Sequence, residues 1–257
     1  MRIVSHTCSN TEIVCALGRA GWLVGVDDHS DHPASVVSRL PRIGPDLDVD
    51  VERIRTLEPD LVITSLTVPG HERCLERLEA AGLPLLVTCP HTLSDVASDI
   101  RRIGEAIDAR EKADRLADRL DAIRTADPPE HAPVPILVEW WPKPVIVPGR
   151  HSWVNEMLRL AGGVNPWEER DAESLEVDSG MARAAAPEAI VMSWCGVEEA
   201  KYRPHVVKRR AGWSSIPAIA KDRIFPVSEA WLGRPGPRLI DGIEKLRSVV
   251  STVRHGR

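Results

Sequence analysis

Aromatic side chains other than tryptophan are nearly missing from this chain of 257 residues, which has one tyrosine, Tyr202, and one phenylalanine, Phe225. Long apolar runs are missing too: no stretch of about 18 apolar residues occurs, so nothing reads as a membrane-spanning helix. Basic runs are absent. Lys and Arg number 33 against 38 Asp and Glu, a net charge of −5, which argues against a nucleic-acid footprint or a polybasic membrane anchor. The five cysteines, Cys8, Cys15, Cys74, Cys89 and Cys195, form no CxxC, and their odd number argues against a complete disulfide framework. There is no G-x-S-x-G, P-loop or G-x-G-x-x-G, so the usual α/β catalytic signatures are lacking and no catalytic residue is expected. MRIVSHTCSN passes directly into a strand-like run without a leader pattern. The expected location is therefore cytoplasmic, a periplasmic or extracytoplasmic place being the alternative if a leader has been removed.

What is present is 43% hydrophobic, enough to fill a core. In the first half, short runs rich in Val, Ile and Leu (2–6, 22–28, 60–66 and 83–89) alternate with helical patterns, which predicts βα units around a parallel sheet. Ser9 and Glu12 bracket an S-x-x-E sequence that reads as a capping box for a helix through Leu17. Helical spacing recurs over 93–107 and again, densely charged, over 110–126, a segment of about 25 Å at 1.5 Å per residue. DPPEHAPVP (127–135) ends it, because proline lacks the amide donor. Strand–helix alternation then restarts at PILVEWW (135–141) and continues through 188–194 and 223–231 to a final helix from about Pro237. The expected organisation is an α/β lobe over 1–107, a single long connecting helix over 108–127 and a second α/β lobe over 128–257, each lobe a parallel sheet flanked by helices, with a ligand cleft between the lobes.

Three of the eight tryptophans fall in ILVEWWPKPVIVPGRHSWVNEMLRLAGG (136–163). Trp140 and Trp141 end one expected strand, Trp194 ends a second, and Trp231 lies just beyond a third. Since the carboxyl ends of parallel strands line the ligand crevice, these indoles are expected to face one mouth and hold a large, flat, partly apolar ligand. Any one tryptophan is ordinarily core or interface filler, and Trp153, Trp167 and Trp213, which lack this placement, are read so, while Trp22 stands just before a strand, at the end opposite the cleft. Loops after the early strands, SHTCSNTE (5–12), DDHSDHP (27–33) and TSLTVPGHE (64–72), supply Ser9, Asn10, His29, Ser65 and Leu66 as the facing contacts. The same loops carry candidate metal ligands: His29 and His32 stand with Asp28 and Asp31, and His6, Cys8, Cys89 and His91 follow expected strands. Zinc needs three or four such groups converging; a capped polar loop with buried thiols is the preferred reading, and no metal site is expected.

The ordered set SHTCSNTEIVCALG, VGVDDHSDHP, RIRTLEPDLVI, MLRLAGGVN, AAAPEAIV and W-x-x-R-P-G-P-R (231–238) spans nearly the whole chain and resembles the helical-backbone class of ABC-transporter substrate-binding proteins, the iron-siderophore and vitamin B12 group, most of all its cobalamin-binding members. The resemblance implies two α/β lobes, a rigid connecting helix and a non-catalytic protein that holds a corrinoid in the cleft, without a cofactor of its own. Haem, a ferric siderophore or a cytosolic corrinoid-handling enzyme on the same scaffold are its alternatives. By position, it makes Trp141, Trp194 and Trp231 the apolar contacts, with Arg234 nearby, and puts Leu66 where relatives carry a first-lobe aromatic. His6 or His29 would be the imidazoles within reach of a ligand metal. It also implies docking on an ABC permease through one acidic residue per lobe; Glu72 matches the first, whereas Gly233 stands in place of the second.

Overall fold

The computed structural model describes residues 1–127 and 129–256. The chain divides into two compact units, Met1–Pro90 with Ser94–Asp121, and Ala122–Arg257 with His91–Leu93.

In the first unit, β1 (Ile3–Ser5) leads through α1 (Cys8–Ala16) to β2 (Leu23–Val26), and α2 (Ala34–Val37) and α3 (Val51–Thr56) precede β3 (Leu61–Ser65). α4 (His71–Ala80), β4 (Leu85–Thr88), α5 (Leu93–Ala106) and α6 (Arg110–Arg124) follow. The strands pair in parallel in the order β2-β1-β3-β4. A parallel sheet is covered on both faces, and accordingly Ile3, Val4, Val62 and Ile63 are fully buried. α5 buries Val96, Ile100 and Ile103 at helical spacing. Gly104 lets α6 come close, since a Cβ there would lie 2.1 Å from that of Ala113. Arg101 on α5 then bonds Asp118 and Asp121 of α6 at 2.6 and 2.9 Å. The division between units falls inside α6, after Asp121.

α1 begins two residues earlier than a Ser9 cap would allow, at Cys8. Its N-cap is Thr7, which makes no side-chain cap bond, while Ser9 and Glu12 are buried inside the first turns. Ser9 and Glu12 therefore do not form the expected capping box, since both lie within the helix and not at its N-cap.

The second unit contains β5 (Val134–Glu139), β6 (Trp141–Pro142), β7 (Val145–Pro148), α7 (Val154–Ala161), β8 (Gly163–Val164), β9 (Ser174–Glu176) and α8 (Ser179–Ala185). They are followed by β10 (Ala189–Met192), α9 (Pro204–Lys208), α10 (Pro217–Ala220), β11 (Ile224–Pro226), α11 (Glu229–Leu232) and α12 (Leu239–His255). Its main sheet is parallel in the order β11-β10-β5-β8. A second, antiparallel sheet, β6-β7-β9, was not legible beforehand, because strands of two to four residues carry too few alternations to register as a period. It ends the expected strand over 135–141 at Glu139 and turns the chain back through a hairpin at Trp141–Pro148. Beneath both sheets, Leu137, Val147, Ile190, Met192 and Trp213 form the core.

Candidate functional site

Because its strands are parallel, the first unit brings Ser5, Val26, Ser65 and Thr88 to one sheet edge, and in the polar loops leaving that edge His6, Thr7, Asp27 and Ser30 are buried. Thr7 has φ 86°, a left-handed value that is costly for a β-branched residue. Its hydroxyl accepts from Asn10 Nδ2 at 3.1 Å and from Ser65 Oγ at 3.3 Å. Thr11 donates to Ser5 at 2.9 Å and lies 2.8 Å from the Ser30 hydroxyl, which in turn donates to Asp27 at 2.5 Å. Asp27 also accepts the His29 amide, and burial pushes its carboxyl above the ordinary range.

A second cluster centres on Asp46. His6 Nε2 lies 2.7 Å from the Asp46 carbonyl, which can only accept, so Nε2 carries the proton and Nδ1 accepts from the Thr64 hydroxyl at 2.6 Å. Burial pushes His6 down to about 4 despite the carbonyl. The Asp46 carboxylate has His29 Nε2 at 3.4 Å and His71 Nε2 at 3.6 Å. Burial opposes its ionisation, but the surrounding histidines outweigh burial and hold the carboxyl below its ordinary range. Cys74 Sγ donates to the same carbonyl at 3.4 Å. Sequence reasoning missed Asp46, which belongs to no motif, and singled out no role for His71 within the loop 64–72. Among the described residues, no group of three or more His, Cys, Asp and Glu could hold a metal ion.

In the second unit, β5, β10 and β11 are neighbours in one parallel sheet, so the segments leaving their carboxyl ends emerge at one edge. Trp141 is 43% exposed and donates its indole N–H to the Lys143 carbonyl. Trp140 is half-buried against α11, where a Cβ on Gly233 would lie 3.7 Å from its ring. Trp231, also half-buried, lies under Arg238 and Lys245, with cation-to-ring distances of 5.4 and 4.8 Å.

Several expected contacts are placed differently. Trp194 leaves the correct strand end but turns inward and is 7% exposed. Its N–H donates to Glu139 at 2.9 Å, and Glu139, itself fully buried, is bridged by Arg210 at 2.7 and 3.1 Å. The indole N–H is the hydrogen-bond partner of a buried carboxylate, and the ring is buried with it. Arg234 is buried and donates to Glu229 at 2.7 Å, a side chain committed within its own turn. Ser9, Asn10 and Ser65 are buried, and their polar groups organise the loops rather than project from them. His6 has both ring nitrogens engaged, so it is not free to meet a ligand metal. Leu66 and His29 keep partial exposure, and Glu72 is exposed on the first turn of α4.

A sequence profile of the periplasmic binding protein family matches residues 3–229. An ABC transporter substrate-binding lipoprotein of Bacillus subtilis, YvrC, is 32% identical over 256 residues, covering 95% of this chain and 78% of its own length. The vitamin B12-binding protein of Vibrio cholerae is 27% identical over 249 residues, covering 95% of this chain and 87% of its own. Among solved structures, the apo periplasmic heme-binding protein RhuT from Roseiflexus sp. RS-1 has a TM-score of 0.84 at 27% identity, covering 98% of each chain. These relatives are periplasmic or lipid-anchored outside the cytoplasm, which overturns the expectation of a cytoplasmic protein. Among the described residues, no helix is long and apolar enough to cross a membrane.

Proposed function

We propose, starting from the fact that this chain belongs to the periplasmic binding protein family, that it captures a corrinoid of the cobalamin type and delivers it unchanged to an ABC permease. The chain is a binding protein and not an enzyme. The observation that carries the ligand class is the exposed indole of Trp141, the only tryptophan, tyrosine or phenylalanine left exposed among the described residues, with Trp140 and Trp231 half-buried in the same unit. A rigid aromatic surface suits a flat, partly apolar macrocycle, which it contacts at low entropic cost. The vitamin B12-binding relative supports a corrin; the heme-binding neighbour supports haem as the second reading, to which the exposed imidazole of His29 adds a metal-ligating side chain.

Incubating the purified protein with cobalamin, haem and ferric siderophores in turn, then desalting and recording absorption spectra, tests this reading. Cobalamin is expected to be retained. Trp141→Ala and Trp231→Ala should each weaken its binding by about 2 kcal/mol, roughly 30-fold, as for a buried aromatic anchor. Retention of haem alone would move the ligand to the second reading, and full cobalamin affinity in both alanine variants would remove the aromatic face from the site.

Docking on the permease is assigned to Glu72. Its carboxylate accepts the Gly70 amide at 2.8 Å, and together with its own backbone N–H this bond holds it below the ordinary carboxylate range. In the second unit, Gly233 has an ordinary helical φ of −91°, and a Cβ there would find neighbours at 3.4–3.7 Å, normal contact distances. A side chain fits. Against a vitamin B12 permease in lipid nanodiscs, Glu72→Ala is expected to weaken binding about tenfold and Gly233→Glu to strengthen it, because opposed charges fix register and speed encounter. Unchanged binding in Glu72→Ala would displace this assignment.

A further inference from the structure

We propose that His71 is a positioning residue that fixes the docking carboxylate of Glu72 by closing the turn Thr67–Gly70; this rests on the reading of Glu72 as a docking acid. His71 is the first residue of α4 and is 1% exposed, an unusual place for an imidazole with no ligand role. Both of its backbone-proximal bonds close the same turn. Its amide donates to the Val68 carbonyl at 3.1 Å, and its ring Nδ1 accepts the Thr67 amide at 3.3 Å. Nδ1 is therefore unprotonated, and Nε2 carries the hydrogen.

That Nε2–H is buried, has no hydrogen-bond partner and points at the Asp46 carboxylate, 3.6 Å away. The attraction draws the ring toward Asp46 and away from solvent, while the edge of His6, at a centroid distance of 5.5 Å, closes the other side. Gly70, at φ 106°, takes the left-handed conformation that glycine alone adopts without strain, and its N–H thereby donates to Glu72. The ring is thus one end of a short rigid path: Asp46 sets the ring, the ring sets Thr67, and the closed turn sets the Gly70 amide that holds Glu72. On its other side, the Thr67 hydroxyl lies 3.2 Å from Ser65, so the same turn is continuous with the buried hydroxyls at the sheet edge.

A filler role and a positioning role separate experimentally. His71→Phe keeps a ring of similar size without the acceptor, and His71→Asn supplies an acceptor near the position of Nδ1. In the parent, ¹⁵N spectra of His71 should show hydrogen on Nε2 only, and a ¹³C titration should place the Glu72 carboxyl below the ordinary value of about 4.3. His71→Phe should move Glu72 up toward that value, speed exchange of the Thr67 amide and weaken docking on the nanodisc-held vitamin B12 permease several-fold; His71→Asn should recover much of each. A parent His71 with hydrogen on Nδ1, or a His71→Phe variant whose Glu72 titration and Thr67 exchange match the parent, would overturn the proposal, and the first outcome needs no variant to fold. Docking that survives Glu72→Ala would instead defeat the docking reading, with the spectra still deciding whether His71 positions Glu72.

Discussion

Replacing Glu139 with alanine is expected to lower the free energy of unfolding by about 3–5 kcal/mol, the cost of breaking a buried ion pair from one side. Glu139 is fully buried on β5, and its carboxylate is shared by the Arg210 guanidinium and the Trp194 indole. Without it, Arg210 keeps its charge, stacked 4.3 Å over the Trp213 ring and only 15% exposed, and Trp194 keeps an unpartnered N–H. Leaving a buried donor unsatisfied costs more than the bond contributed. Removing both charges as Glu139→Met with Arg210→Met should therefore recover a large part of the loss, since replacing a whole buried pair by apolar volume is often close to neutral. Urea unfolding followed by tryptophan emission measures both variants. If the double variant were as unstable as the single one, the instability would come from packing around β5 and not from the stranded charge.

Acidification should destabilise the first unit through His6. Its ordinary value in the unfolded chain is about 6.5, and burial takes it to about 4 in the folded chain. Between those values the unfolded chain binds a proton that the folded one refuses, so stability is full above about pH 6.5 and falls as pH drops toward 4. The depression corresponds to about 3 kcal/mol over that window. Asp46 has the same sign lower down: its folded carboxyl is depressed, so its contribution is present above the unfolded value of about 3.9 and is lost as pH falls below it. His6→Gln, which has no proton to gain, should flatten the curve between pH 6.5 and 4 while leaving the Asp46 loss in place. Denaturant midpoints at half-unit pH steps read this directly. A parent curve flat from pH 7 to 4 would mean that His6 is not held neutral by burial.

Much of the fold was legible in the chain itself. Runs such as LVI at 61–63 and AIVM at 189–192 are continuously apolar, the mark of strands covered on both faces, and each lies in a parallel sheet as read. The helical spacing over 93–107 and 110–126 became α5 and α6, and the strand ends bearing Trp140, Trp194 and Trp231 do emerge from neighbouring strands. Those features depend on local periodicity, which a linear sequence states outright. The direction of each side chain does not. Trp194 turned inward because a carboxylate 55 residues earlier needed its N–H, and Arg210, 71 residues from Glu139, completed that site. His6 is neutral because the folded chain buries it, its one ring hydrogen going to a carbonyl 40 residues away, and Arg234 was taken by Glu229. Sequence alone determined on which strand ends and loops polar and aromatic groups stand, since the position of each strand along the chain follows from the apolar pattern. Only tertiary structure decided which of them are spent on one another, because a buried polar group must find a partner and that partner is chosen by proximity in the folded chain.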